Sequence, residues 1–392
     1  MVTTRSKKTA VSAPTVDTAG TTKEASDGKE ASAGPFASNA TFTHLALLGL
    51  TVGPLLVYVD PNVNIVLTAS LAIYAGAHRS IKATPMQEAM TQKDAMRFPL
   101  VGSCVLFGLF LLFKYLPKDI VNLVLTVYFV FLGVIALTAT LLPFLNKFLP
   151  IKLHDRSFKL GTIPTIPYFM SEPFEVAATV STFAGGAISV GFCVWYFAKK
   201  HFIANNTLGL AFSIQAIEFM SVGSVKIGAI LLCGLFLYDI FWVFCTPVMV
   251  SVAKSFDAPI KLLFPRALDL ASTGERPFSM LGLGDIVVPG IFIAILLRFD
   301  NQRNNKGKSY FRYGMIGYVL GLATTIVVMN VFNAAQPALL YIVPGVLGAV
   351  GLRSVLYKET DELLAYDENP AEEGEGEKME EEVKAEVTGK EE

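Results

Sequence analysis

The sequence predicts an all-α membrane protein, a polytopic bundle of about nine transmembrane helices, or ten if the first apolar run also crosses. Three observations carry this expectation. Of the 392 residues, 53% are hydrophobic and only 17% are charged, against about a quarter charged in an ordinary soluble domain. The mean hydropathy is +0.51. The apolar residues also gather in runs of near membrane-spanning length, while the charges crowd into the two ends and a few loops. The formal net charge of −1 therefore averages over segregated regions and gives no reason to expect a nucleic-acid partner.

Along the chain, residues 1–40 are rich in Ser, Thr, Ala, Lys and Gly. Such a segment buries too little apolar surface to offset its ordering entropy, and it is expected to be disordered. No apolar run begins before about residue 42, so Arg5, Lys7 and Lys8 do not read as the start of a cleaved signal peptide. Apolar runs follow at 43–59, 63–78, 98–113, 120–142, 174–198, 203–220, 227–250, 279–297, 313–332 and 337–352. Most approach the roughly 17–25 residues that cross a bilayer. The first two are divided only by Asp60-Pro61-Asn62. One continuous helix over both would reach about 54 Å at about 1.5 Å per residue, against a hydrocarbon core of about 30 Å, so they form a hairpin or only one spans. Residues 41–357 thus read as one membrane-embedded domain, with 358–392 a disordered tail rich in Glu and Lys.

Lys and Arg gather at 79–97, 147–159, 298–312 and 353–358, each separated from the next by an even number of runs. That bias places those loops and the C-terminus in the cytosol. Loops 114–119, 199–201 and 253–276 then face the opposite side, although Lys254, Lys261, Arg266 and Arg276 in the last are only partly balanced by Asp257, Asp269 and Glu275.

A carboxylate inside an apolar span costs several kcal/mol on insertion scales, so an intramembrane Asp is a functional candidate by default. Asp239 lies within GLFLYDIFWVF and Asp285 within SMLGLGDIVVPGIFIAILL, on consecutive predicted helices. Two carboxyl groups brought together in a low-dielectric site share a proton and titrate as a pair. One can then act as base toward water attacking a carbonyl while the other, protonated, hydrogen-bonds the carbonyl oxygen. Such chemistry needs no metal and no cofactor. Gly282 and Gly284 beside Asp285 admit close backbone approach. The alternative is that both Asp residues are satisfied polar contacts within the bundle.

Other chemistries lack their residues. There is no HExxH, and His44, His78, His154 and His201 fall at run edges or in loops. Cys104, Cys193, Cys233 and Cys245 have no CxxC spacing and read as small packing residues, so no metal site is expected. Glu218 ends a weakly apolar run, where a carboxylate could assist a polar site but more often is simply solvated at the interface. Gly317 and Gly321 form a GxxxG, read as a helix-packing spacing.

Three motifs in order, Tyr238-Asp239, Gly282-Leu283-Gly284-Asp285 and Gln336-Pro337-Ala338-Leu339, resemble the YD, GxGD and QPAL motifs of the signal peptide peptidases, intramembrane aspartyl proteases related to presenilin. The likeness extends to MRFPLVGSC at 96–104, HFIANNTLGLAF at 201–212 and AKSFDAPIKLLFP at 253–265, covering roughly residues 60–345. The resemblance implies that Asp239 and Asp285 are the catalytic pair, supported by Tyr238, Gly282, Leu283 and Gly284. It also implies that Gln336, Pro337, Ala338 and Leu339 shape the place where an unwound substrate strand docks. It further implies residence in the endoplasmic reticulum membrane and, as partners, the lipid bilayer and transmembrane peptide substrates such as signal-peptide remnants and type II or tail-anchored proteins.

Two features depart from the family pattern. The run at 43–59 precedes the best-matching region, and Lys390 stands alone where some members carry a dilysine-type retrieval signal. With nine spans the N-terminus is lumenal and Asn39-Ala40-Thr41 becomes a glycosylation sequon close to the membrane; with ten it is cytosolic. The sequence leaves open a homo-oligomer and quality-control partners in the endoplasmic reticulum. A proton-coupled transporter would also carry intramembrane carboxylates and broken helices, and a catalytically idle scaffold would have no need of both Asp residues.

Overall fold

The structure is a computed structural model that describes residues 35–81, 90–148, 157–163, 174–256, 258–266, 278–303, 309–332 and 336–368. It is a helical bundle. In chain order the helices are α1 Pro35–Val52, α2 Pro61–Ser80, α3 Gln92–Tyr115, α4 Lys118–Phe148, α5 Val180–Lys199 and α6 Phe202–Phe219. These are followed by α7 Val225–Phe244, α8 Val248–Ser255, α9 Gly284–Gln302, α10 Ser309–Phe332, α11 Leu339–Tyr357 and the short α12 Thr360–Leu364. Two antiparallel hairpins interrupt them: β1 Ser157–Ile163 with β2 Phe174–Thr179, and β3 Lys261–Pro265 with β4 Phe278–Gly282.

Among the described residues six helices are long and apolar enough to cross a membrane: α3, α4, α5, α7, α10 and α11. Their outer faces carry exposed Leu100, Val101, Phe131, Val194, Leu237 and Leu320, as suits contact with lipid chains. The helices α2, α6 and α9 are of similar length, 20, 18 and 19 residues, but hold more polar groups and pack on one another at the centre of the bundle. A helix enclosed by protein needs no apolar exterior. Along α9, Ile291, Phe292, Ile293, Ala294, Ile295, Leu296 and Leu297 are all buried.

The break at Asp60 does form a hairpin. A 3₁₀ turn at Gly53–Leu55 ends the first run. Asp60 then caps α2, its side chain accepting from the backbone N–H groups of Asn62 (2.9 Å) and Val63 (3.2 Å), with Pro61 at the helix start where its missing N–H costs nothing. The GxxxG of α10 packs closely on α11: a Cβ added at Gly321 would lie 2.6 Å from Ile342 Cα, and one at Gly317 would collide with the Gly345 carbonyl.

Several boundaries differ from the sequence expectation. The helix α1 starts at Pro35, so the expected disordered head of 1–40 overlaps it, and Asn39 lies within α1; residues 1–34 lie outside the described residues. The apolar run at 174–198 is not one helix: Phe174–Thr179 pairs as a strand, and Thr179 caps α5 through Thr182 in a capping box. The expected loop at 253–276 overlaps the end of α8 and contains β3. Glu218 is not solvated; it pairs with Arg79 at 2.6 Å, and Gln215 donates to it at 3.1 Å.

The expected tail from 358 is ordered as far as Glu368. Glu359 pairs with Arg303 (3.2 Å) and accepts from the Tyr310 hydroxyl (2.8 Å), and Glu362 pairs with Arg303 (2.8 Å). Glu368 accepts from Arg298 at 2.6 Å and from the Ser221 hydroxyl, while its backbone N–H donates to the Gly223 carbonyl at 2.8 Å. Tyr366 meets Phe299 edge to face, with ring centroids 5.1 Å apart. Residues 359–368 therefore close over the C-terminal end of α9. The remainder of the tail, 369–392 with Lys390, lies outside the described residues.

Candidate active site

The site is assembled from the middle of α7, the start of α9 and the start of α11, with the β3–β4 hairpin as a platform. Two adjacent asparagines of α6 fix that hairpin. Both are buried, at 5% exposure. Asn206 donates to the Leu263 carbonyl and accepts from the Leu263 N–H, each at 2.7 Å. Asn205 donates to the Lys261 carbonyl at 2.6 Å. Their amides stand in for a neighbouring strand and satisfy backbone groups that would otherwise be unpaired inside the bundle. Gly209, one turn further along α6, lets Leu262 and Leu283 approach; a Cβ there would lie 2.9 and 3.3 Å from their methyl groups.

The hairpin delivers the chain to α9. The Leu283 N–H donates to the Ile260 carbonyl at 3.0 Å, and Leu283 begins the helix by accepting from Ile286 (3.1 Å) and Val287 (2.8 Å). Asp285 thereby falls in the first turn of α9, where unpaired backbone N–H groups favour negative charge. The Tyr318 hydroxyl of α10, fully buried, donates to the Asp285 carbonyl at 3.2 Å.

Asp239 is buried at 5% exposure on α7. Its Oδ2 accepts the Leu339 N–H at 3.0 Å, one of the donors that the N-terminus of α11 leaves without a helical partner. That single bond ties Gln336-Pro337-Ala338-Leu339 to the Asp239 carboxylate.

Asp239 and Asp285 line one cavity of about 200 Å³. Gln336 and Ala338 also line it, as do Asn62, Arg266, Ser279, Asn330 and Thr325. The cavity is large enough for several waters, and its polar lining differs from the apolar hollow of about 260 Å³ between α1, α4 and α6. Among the described residues no three or more His, Cys, Asp or Glu side chains group as a metal site requires.

The remaining expected site residues fall into different places. Gly282 ends β4 beside the Asp285 carboxyl, where an added Cβ would sit 3.4 Å from Oδ2, and around Gly284 there is open space. Leu283 is a hinge between hairpin and helix. Pro337 is buried next to the α11 start. Tyr238 does not line the cavity: its ring turns toward Gly102 of α3 and packs against Trp242. Asn205, Asn206 and Tyr318 escaped the sequence reading, and Arg266 was read there only as a loop charge; a pair of amides inside an apolar run was the signal available for the first two.

Known proteins resemble the chain over most of its length. The family model described as signal peptide peptidase matches residues 82–370. The chain is similar to the signal peptide peptidase of Homo sapiens, 44% identical over 316 residues, covering 78% of this chain and 83% of the relative. It is likewise similar to the signal peptide peptidase of Mus musculus, at 43% over 316 residues, covering 78% and 82%. Signal peptide peptidase-like 1 of Oryza sativa subsp. japonica is 31% identical over 357 residues, covering 77% and 92%. With its helical membrane bundle, the chain belongs to the signal peptide peptidase family of intramembrane proteases.

Proposed function

We propose that the protein is an aspartic endopeptidase that hydrolyses peptide bonds within transmembrane segments, with Asp239 and Asp285 as its general acid/base pair. The observation that supports this most is the shared, partly polar cavity inside the bundle, lined by both Asp239 and Asp285. In the reaction, the ionised member of the pair takes a proton from water as the water oxygen bonds to the scissile carbonyl carbon. The protonated member hydrogen-bonds the carbonyl oxygen and donates its proton as the gem-diol forms. Collapse of the gem-diol breaks the C–N bond: the protonated member of the pair gives its proton to the leaving amine while the ionised member takes one hydroxyl proton, which leaves a carboxylic acid and restores the singly protonated pair. No metal and no covalent intermediate takes part.

A helical substrate hides its carbonyls in internal hydrogen bonds, so attack requires local unwinding at a site that water enters. That Gln336 and Ala338 line the same cavity supports a role for them in meeting the unwound strand. Residence in the endoplasmic reticulum, a cytosolic C-terminus, and signal-peptide remnants or type II and tail-anchored proteins as substrates complete the reading. The test is cleavage of a fluorogenic signal-peptide-like substrate by detergent-purified protein. Asp239→Ala and Asp285→Ala are each expected to abolish cleavage while keeping the wild-type elution profile and thermal transition. Full activity in either variant refutes the pair.

A further inference from the structure

The cavity lined by Asp239 and Asp285 is lined by a basic residue as well, Arg266. Arg266 follows β3 directly, and its side chain is exposed at the cavity wall. Its Nε donates to the Ser279 hydroxyl of β4 at 3.1 Å. With Nε engaged, the two terminal nitrogens of the guanidinium keep the forked donor geometry that fits a carboxylate bidentately. The hairpin register sets where they sit. Gly282, beside Asp285, pairs with Lys261 at one end, whereas Pro265 pairs with Phe278 at the other. Ser279 lies three residues from Gly282, roughly 10 Å at about 3.4 Å per residue. The cavity follows that length, being lined by Ser279, Met280 and Leu281 as well as by Asp285.

We propose that Arg266 is a specificity-determining residue that selects transmembrane substrates carrying an acidic side chain about three to five residues to one side of the cleaved bond. The spacing follows from the hairpin length, since an extended substrate strand advances by the same rise per residue as β4. The inference rests on the reading of Asp239 and Asp285 as the hydrolytic pair. It deepens that reading by adding a charge preference for which the pair itself provides no basis.

The experiment uses full-length protein and a set of fluorogenic transmembrane peptides identical except for Glu, Gln or Lys at positions three to five on either flank of the cleavage site. Wild type is expected to cut the Glu peptide about two- to fivefold faster in kcat/KM than its Gln twin, the range of an exposed ion pair, through KM and on one flank alone. Arg266→Ala should erase the difference, so that the Glu and Gln peptides are cut with equal kcat/KM, and Arg266→Glu should shift the preference to Lys. Cleavage with the same charge preference in Arg266→Ala overturns the inference and leaves the protease reading standing. So does an equal fall for every peptide. No cleavage of any peptide by folded wild type overturns both.

Discussion

The asparagine pair on α6 offers a graded test of how the hairpin holds the site. Asn206→Ala removes two hydrogen bonds to Leu263, each 2.7 Å long. Asn205→Ala removes one to the Lys261 carbonyl, at 2.6 Å. At about 1 kcal/mol net per bond, the losses are about 2 and about 1 kcal/mol. These correspond to roughly thirtyfold and fivefold increases in the open population of the hairpin. Hydrogen–deuterium exchange on detergent-solubilised protein reads this directly, because the β3 and β4 amides exchange through that opening. The expected order is Asn206→Ala faster than Asn205→Ala, and both faster than wild type, with the α10 and α11 amides unaffected. Peptide cleavage should fall in the same order, since the Ile260–Leu283 bond that seats Asp285 belongs to the opened unit. Wild-type exchange across 261–265 and 278–282 in Asn206→Ala would refute the claim that α6 pins the hairpin.

Two further outcomes follow from packing and charge. Gly321→Val drives a side chain onto the α11 backbone at Ile342 and is expected to cost about 1–3 kcal/mol through overpacking. A thermal-shift assay should show a lowered transition, whereas Gly348→Ala, where nothing lies within 4 Å of an added Cβ, should leave it in place. The Arg303 hydrogen bond, with Tyr310 and the neighbouring guanidinium charges, holds the Glu359 carboxyl below its ordinary range. Its stabilisation is then complete above the unfolded value of about 4.3 and is lost as pH falls through the lower folded value. Thermal stability measured from pH 6 to pH 3 should show a decline below about pH 4.3 that is reduced in Glu359→Gln.

The fold class was legible because successive apolar runs of bilayer length rarely occur outside a membrane bundle, and Asp239 and Asp285, which line one cavity, stood out as candidates because a carboxylate is conspicuous there. Sequence alone did not reveal the means of bringing them together. The bond from Leu339 to Asp239 uses a backbone N–H, which every residue but proline carries, so no side chain advertises it. The strand at Phe174–Thr179 was hidden because its apolar residues run straight into those of α5, and only the Thr179 cap separates them. The ordered segment 359–368 was hidden by its acidity. The short apolar stretch Leu363-Leu364-Ala365-Tyr366 is flanked on both sides by Asp and Glu, yet Leu363 is buried at 4% exposure, and Glu368 and Glu359 pair with Arg298 and Arg303. Tyr238, which the resemblance puts among the supporting residues, packs its ring against Trp242 and toward Gly102, contacts that its position beside Asp239 in the sequence does not indicate.

The enclosure of α2, α6 and α9 also bears on how the chain is made. An insertion machinery reads each segment as it emerges, before later partners exist, and it scores polar groups against entry into lipid. The α9 segment presents Asp285, Arg298 and Asp300 within 16 residues, and the groups that receive Arg298 and its neighbours include Glu359 and Glu368, which follow α10 and α11 in the chain. Asp300 in turn accepts the Phe311 N–H at 2.9 Å from the following helix. The polar helix is therefore born before its counter-charges. The ion pairs that α9 makes with residues 359–368 can form only after that segment has been synthesised.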